Sequence, residues 1–368
     1  MAVLPQGDGR RGSSEAAQET SLRASGGGGG ADVKAEVHTH DRSGDGSRPH
    51  RSRTHTARTP GLVALQRSPK QTDQMAKLIL DTNVFYNLAD RSFDIATFAS
   101  SSDQLFYSPL SVLEIAGKWS PELFLRRKAA AQAILDCGAA ELPDQDSFLA
   151  QTIFKYALRR PTVSLKDAVV AMAKSRSVEA LERGVEDRLE KVVRKVDSAL
   201  VGKWRGVIEG MWVRDMESIQ DREIPRFALW RAERAAGFDP PVPKLKGARE
   251  REFLEKTREP NWNLTLVSSC HERALLISRK TQPVVSETET RETITEALKA
   301  LSCYCGVYTQ YLIRLLTGGV LPDPNDSGDI ELFLHAIDDA HIVVTSERKW
   351  KNMAEQAGFG QRVQLVTR

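Results

Sequence analysis

The feature that most restricts the fold of this chain is a set of short, unbroken apolar runs separated by longer helical stretches. "AKLIL" (Ala76 to Leu80) and "QLFYS" (Gln104 to Ser108) are two such runs. "HIVVT" (His341 to Thr345) and "RVQLVT" (Arg362 to Thr367) stand near the other end, and "AAEL" (Ala139 to Leu142) is a weaker example. Runs of this kind belong to strands covered on both faces, and intervening helices make their sheet parallel. The expected class is α/β, with a parallel sheet flanked by helices.

From about Pro161 to Gly319 no strand pattern interrupts the helical one. Apolar residues step by three or four from Val178 through Leu181, Val185, Leu189, Val192, Val196, Leu200, Trp204 and Val207 to Met211. A second series runs through Ile294, Leu298, Leu301, Tyr304, Tyr308, Leu312 and Leu315 to Gly318-Gly319, where a helix C-terminus is expected. The reading is an α/β domain built from both ends, 75–160 and 320–368, with an α-helical insertion at 161–319. Without the insertion the domain has about 135 residues, near the commonest domain size.

Residues 1–74 are poor in apolar side chains and rich in Gly, Ser, Arg, Thr and His, which predicts a disordered low-complexity tail. The tail holds 11 Lys and Arg against 8 Asp and Glu, whereas the remainder holds 41 of each. The excess positive charge is therefore a property of the tail, and any nucleic-acid surface has to come from local patches. "RRK" (Arg126 to Lys128) and Arg159-Arg160 are the candidates. Four cysteines in 368 residues do not make a disulfide framework. With neither a secretory signal nor a run long enough to span a bilayer, the chain reads as soluble and cytoplasmic, without a membrane partner. Cys270-His271 with Cys303 and Cys305 suggests zinc, but Cys303 and Cys305 lie two apart in a helical stretch and point to different faces. Buried thiols are the expectation.

Chemistry concentrates in acids at element ends. Asp81 ends the first strand, where open parallel sheets place their ligands. Glu114 follows the second strand, on a helix that Ser108 can cap and Pro109 can open. Asp329 opens a helix near the C-terminus, with Ile330, Phe333, Leu334 and Ile337 as its buried face. Glu347 lies just past strand "HIVVT". Such acids on one sheet edge would repel one another unless a divalent cation balanced them, and all-oxygen ligands suit Mg²⁺ or Mn²⁺.

"LILDTNVF", the Glu114 segment and "DIELFLHAIDDAHIVVTSE" together resemble the PIN-domain metal-dependent ribonucleases, over Met75 to about Leu142 and about Asp323 to Arg368. The resemblance implies a PIN-like fold, RNA as substrate, and Asp81, Glu114, Asp329 and Glu347 as catalytic, metal-binding carboxylates, with Asn83 and Thr345 supporting them. It also makes an inhibitory protein partner conceivable. Two departures stand out: Glu347 where the family usually has Asp, and the long insertion.

Competing readings are a catalytically weak PIN-like module that binds RNA or a protein partner, and an aspartyl phosphotransferase using Asp81. Asn83 occupies the place where that transferase chemistry commonly wants a second acid. Asp167, in "SLKDAVVAMAKS", is the alternative third acid, but no apolar strand follows its helix to carry a fourth back to the sheet. Asp326 is close enough in sequence to Asp329 to assist it, and His335 and His341 are expected to be structural.

Overall fold

The computed structural model describes residues 75–116, 121–158, 164–181, 183–184, 204–278 and 286–367. The expected tail, Arg159-Arg160 and the central part of the long helical pattern lie outside these residues. The described residues fall in one compact unit.

Five strands form one all-parallel sheet: β1 (Lys77–Leu80), β2 (Gln104–Tyr107), β3 (Ala140–Glu141), β4 (His341–Thr345) and β5 (Val363–Leu365). Their order is β3-β2-β1-β4-β5. The chain thus leaves β1 in one direction to build β2 and β3, and returns to its other side with β4 and β5. The two edge strands are the shortest, which limits unpaired backbone at the margins.

Twelve α-helices of seven residues or more accompany the sheet among the described residues. Four belong to the first part of the chain: α1 (Thr82–Ala89), α2 (Pro109–Ala116), α3 (Pro121–Asp136) and α4 (Lys166–Lys174). Six follow: α5 (Trp204–Glu223), α6 (Phe227–Ala235), α7 (Ala248–Lys256), α8 (Pro260–Ser278), α9 (Glu287–Ala300) and α10 (Ser302–Gly318). The last two are α11 (Asp326–Leu332) and α12 (Arg348–Gln356).

Local chemistry explains several of the boundaries. Ser108 Oγ accepts from the Leu110 N–H at 3.1 Å, so the residue after β2 caps α2, and Pro109 takes the first helical position where its missing N–H does no harm. α9 opens with a full capping box between Ser286 and Glu289. Gly319 ends α10 at φ 67°, a left-handed conformation that glycine adopts without strain.

Alternate residues of the central strands enter different cores, as a strand covered on both faces requires. Leu78, Leu80 and Val344 pack with Phe85 of α1, Ile134 of α3 and Met172 of α4. On the opposite face Val343 and Val363 share a core with Tyr311 and Leu315 of α10, Phe333, and Trp350 of α12. α10, the last helix of the 161–319 stretch, is therefore part of the cover of the sheet. Cys303 lies in this second core and Cys305 in a third, as expected of residues two apart on a helix. Burial pushes both thiols up to about 12, so they remain protonated. Cys270 shares the core of Cys305, and the four cysteines are free thiols.

Arg273 of α8 joins the helical stretch to both parts of the α/β layer. Its guanidinium donates to Asp146 Oδ1 at 2.6 Å and to Glu331 Oε1 at 2.8 Å. Among the described residues, no helix is long and apolar enough to cross a membrane.

Candidate functional site

β1 and β4 are neighbours in parallel register, with Leu80 paired to Val344. The next residues, Asp81 and Thr345, therefore emerge side by side at the carboxyl ends of the strands. This is the point where the chain order reverses across the sheet, which is where open α/β sheets form ligand crevices. Thr345 Oγ1 donates to Asp81 Oδ2 at 2.8 Å, and the Glu347 N–H donates to Thr345 Oγ1 at 3.1 Å. Asn83, in the first turn of α1, donates from Nδ2 to Glu347 Oε1 at 2.8 Å. Asp81 itself makes no side-chain cap to α1. It is only 2% exposed.

Burial raises the Asp81 carboxyl from 3.8 to about 7, with the charges of Glu114 and Glu347 adding to the rise and the Thr345 hydroxyl opposing it. Asp329, in the first turn of α11, is also raised, by burial first and then by the charges of Asp81, Glu347 and Glu114. Asp81 and Asp329 are thus within electrostatic reach of both Glu114 and Glu347. Among the described residues, however, no group of three or more His, Cys, Asp or Glu side chains is set closely enough to hold a metal ion.

What stands among these carboxylates is Lys349. Its ammonium lies 2.6 Å from Asp326 Oδ1, 2.9 Å from Glu347 Oε2 and 3.8 Å from Asp329 Oδ2. Burial alone would lower its pKa; hydrogen bonds to Asp326 and Glu347 outweigh that and raise it, so it stays charged. Its neighbour Trp350 donates from Nε1 to Asp329 Oδ2 at 3.0 Å. Asp326 thus reaches the site through the lysine. Neither Lys349 nor Trp350 emerged from the acid pattern. A usable signal was present in "SERKW": two cations in the first turn of a helix oppose its dipole and call for acidic partners.

Asp167 is exposed in the first turn of α4, and the charges that dominate the rise of Asp81 and Asp329 are Glu114, Glu347 and each other. His335 is fully buried with neither ring nitrogen hydrogen-bonded, packed against Phe148. His341 pairs with Asp338.

Comparison with known proteins returns no matching family model, curated protein or solved structure. The chemistry of the site therefore has to be argued from its own geometry.

A cleft of about 210 Å³ opens beside Glu114, lined also by Tyr86, Leu123, Arg126 and Arg127. The Arg126 guanidinium lies over the Tyr86 ring at 4.9 Å. Arg127 donates to the Ile115 carbonyl at 3.1 Å, which ties α3 to the C-terminal end of α2. A carboxylate of the site thus shares a wall with an aromatic face and two guanidinium groups.

Asp81 and Asp329 offer the hard oxygen donors a divalent cation takes, each buried and with one oxygen engaged by a neutral donor, and an ion would favour the ionised forms that burial disfavours. Glu114 adds a third carboxylate to their field. Glu347 fits less well, since Asn83 and Lys349 engage both of its oxygens.

Substituting the two candidate third acids separates their roles. Under the reading of these acids as the metal ligands of a ribonuclease, Asp329→Asn is expected to lower RNA cleavage by at least about a hundredfold, the scale of losing one transition-state contact. Asp167→Asn should stay within about twofold of wild type, as exposed substitutions usually do. Initial rates on one labelled RNA measure both, and the reverse pattern would move the site to α4.

Proposed function

We propose that the chain is a metal-dependent endoribonuclease with a PIN-like fold, hydrolysing RNA phosphodiester bonds with Mg²⁺ or Mn²⁺. The observation that carries this reading is the meeting of Asp81, Glu114, Asp329 and Glu347 at the switch point of a parallel sheet, with Asp81 raised to about 7 by burial and by its acidic neighbours. The resemblance of the two end segments to PIN-domain ribonucleases supplies RNA as the substrate class.

In this reading Asp81, Glu114 and Asp329 hold the ion. When bound, it would polarise the phosphodiester and lower the pKa of an attacking water. Thr345 and the Asn83 backbone fix the Asp81 carboxyl, and Trp350 fixes that of Asp329. Asn83 and Lys349 orient Glu347, whose carboxylate then accepts a hydrogen bond from the water. Arg126 and Tyr86 suit a flanking nucleotide, a guanidinium for phosphate and a ring for the base.

A second reading is favoured by Lys349. An ammonium that already neutralises part of the cluster suits a PIN-like module that binds RNA or a protein partner without cutting. One assay divides the two. The full chain is incubated with single-stranded RNA and DNA, with Mn²⁺, Mg²⁺ or EDTA. Internal cleavage of RNA that needs the ion is expected. Retarded but uncut RNA under every condition would support the binding module instead.

A further inference from the structure

We propose that residues 148–156 form an acid-released latch, closed over the third core by the packing of Phe148 on a buried, neutral His335 and opened when that imidazole takes up a proton.

The segment departs from ordinary helix geometry. Phe148–Ile153 is a π-helix, a rare form, and Lys155 follows at φ 59°, a left-handed conformation that is uncommon for a residue with a Cβ. Side-chain packing at its two ends holds it in place. Phe148 lies on the His335 ring at 4.3 Å between centroids. At the other end Phe154 meets the His271 ring at 5.1 Å, and the Tyr156 hydroxyl is hydrogen-bonded to His271 Nε2. His271 stands on α8, whereas His335 ends the short turn Phe333–His335 that follows α11. The segment therefore bridges the helical stretch and the C-terminal part of the α/β layer. Its Phe148, Phe154 and Tyr156 share the third core with Ala274 of α8, Leu301 and Leu334.

His335 is fully buried, and neither ring nitrogen has a hydrogen-bond partner among the described residues. The acids on the elements around it are engaged elsewhere. Asp144 is on Ser147, Asp146 and Glu331 on Arg273, Asp338 on His341, and Asp339 on Arg362. Asp326 and Asp329 of α11 are on Lys349 and Trp350. α10 packs on the same turn, and burial keeps its Cys303, Tyr304, Cys305, Tyr308 and Tyr311 neutral, while its Arg314 is exposed. His341 acts on His335 directly, and its charge opposes a second positive charge.

A charged imidazole thus has no anion to receive it while the latch is closed. Burial pushes His335 down to about 3, so the ring stays neutral in the closed form over the range used below. Once Phe148 and the turn part, the ring reaches water and protonates near 6.5. The open form therefore gains one proton, and its population rises about tenfold for each pH unit below about 6.5. A local opening of this kind needs no unfolding of the sheet.

The test is hydrogen exchange of the full chain at pH 7, 6 and 5, read by mass spectrometry on wild type and on His335→Met, whose flexible apolar side chain fills a similar space. Dividing the two rates at each pH cancels the intrinsic pH dependence of exchange. Over 148–156 the wild-type rate divided by the variant rate should grow at least about tenfold from pH 7 to pH 5, where uptake of one proton gives about thirtyfold. The same quotient for β1 and β4 should stay constant. A quotient over 148–156 that does not change with pH overturns the latch. A parallel change in β1 and β4 also overturns it, because the opening is then global. Should His335→Met fail to fold by circular dichroism, wild type decides alone: exchange over 148–156, relative to β1 and β4, has to rise at least about tenfold from pH 7 to pH 5, and a constant relation overturns the latch.

Discussion

Asp81→Asn is expected to remove divalent-dependent RNA cleavage, by at least about a hundredfold, while making the metal-free protein more stable. The two effects share one cause. Asp81 is 2% exposed and faces the charges of Glu114 and Glu347, so its ionised form is disfavoured in the fold. The unfolded chain releases this proton near 3.8 and the folded chain near 7. Between those values the folded state holds the extra proton, so stability falls as pH rises from about 4 to about 7, and the full penalty remains above 7.

Asparagine keeps the shape without the charge. It should therefore melt higher than wild type at pH 8 in EDTA, with the gap closing toward pH 4. The difference between the two proteins is the quantity to follow, because His335 pulls the other way in both. Its burial lowers the imidazole to about 3, so it removes stability as pH falls below about 6.5. A large drop in the melting temperature of Asp81→Asn would identify Asp81 as a structural residue, and near wild-type cleavage would end the nuclease reading.

The largest loss of stability is expected from Trp350→Ala. Trp350 is 2% exposed and lies between the Tyr311 ring at 6.2 Å and the Phe333 ring at 6.1 Å. It thereby locks α10, at the end of the helical stretch, onto α12 and the sheet. Truncating a buried Trp usually costs about 3–5 kcal/mol, and at about 2–4 °C per kcal/mol the melting temperature should fall by about 10 °C.

Trp350→Phe separates packing from hydrogen bonding. It keeps most of the ring volume but removes the donor to Asp329 Oδ2, which should cost only about 1–2 kcal/mol. Cleavage should nevertheless fall by about 10–100-fold, the range for losing a group that orients a metal ligand. Equal melting temperatures and equal rates for Trp350→Phe and wild type would show that the indole N–H has no part in holding Asp329.

Much of the framework is legible in local sequence. "KLIL" and "HIVV" are unbroken apolar runs because both faces of their strands are covered, and that composition needs no knowledge of the partners. Ser108-Pro109 marks the start of α2, and Gly319 the end of α10, through backbone chemistry confined to a few residues. Acids at the ends of strands and helices could be found the same way.

Tertiary structure alone decided which of these pieces meet. Asp81 and Thr345 are 264 positions apart, and they touch because β1 and β4 pair in one register. A shift by one residue would turn every side chain of β4 to the other face, and only packing against both layers forbids it. The placement of α10 against Val343 and Trp350 has no local signature either, since an apolar helix face states that it is covered but not by what. Lys349 follows the same logic. Two cations in the first turn of a helix signal a need for anions, yet the identity of Asp326, Glu347 and Asp329 as the neighbours of Lys349 arises only when α11 and α12 are brought to the same edge of the sheet.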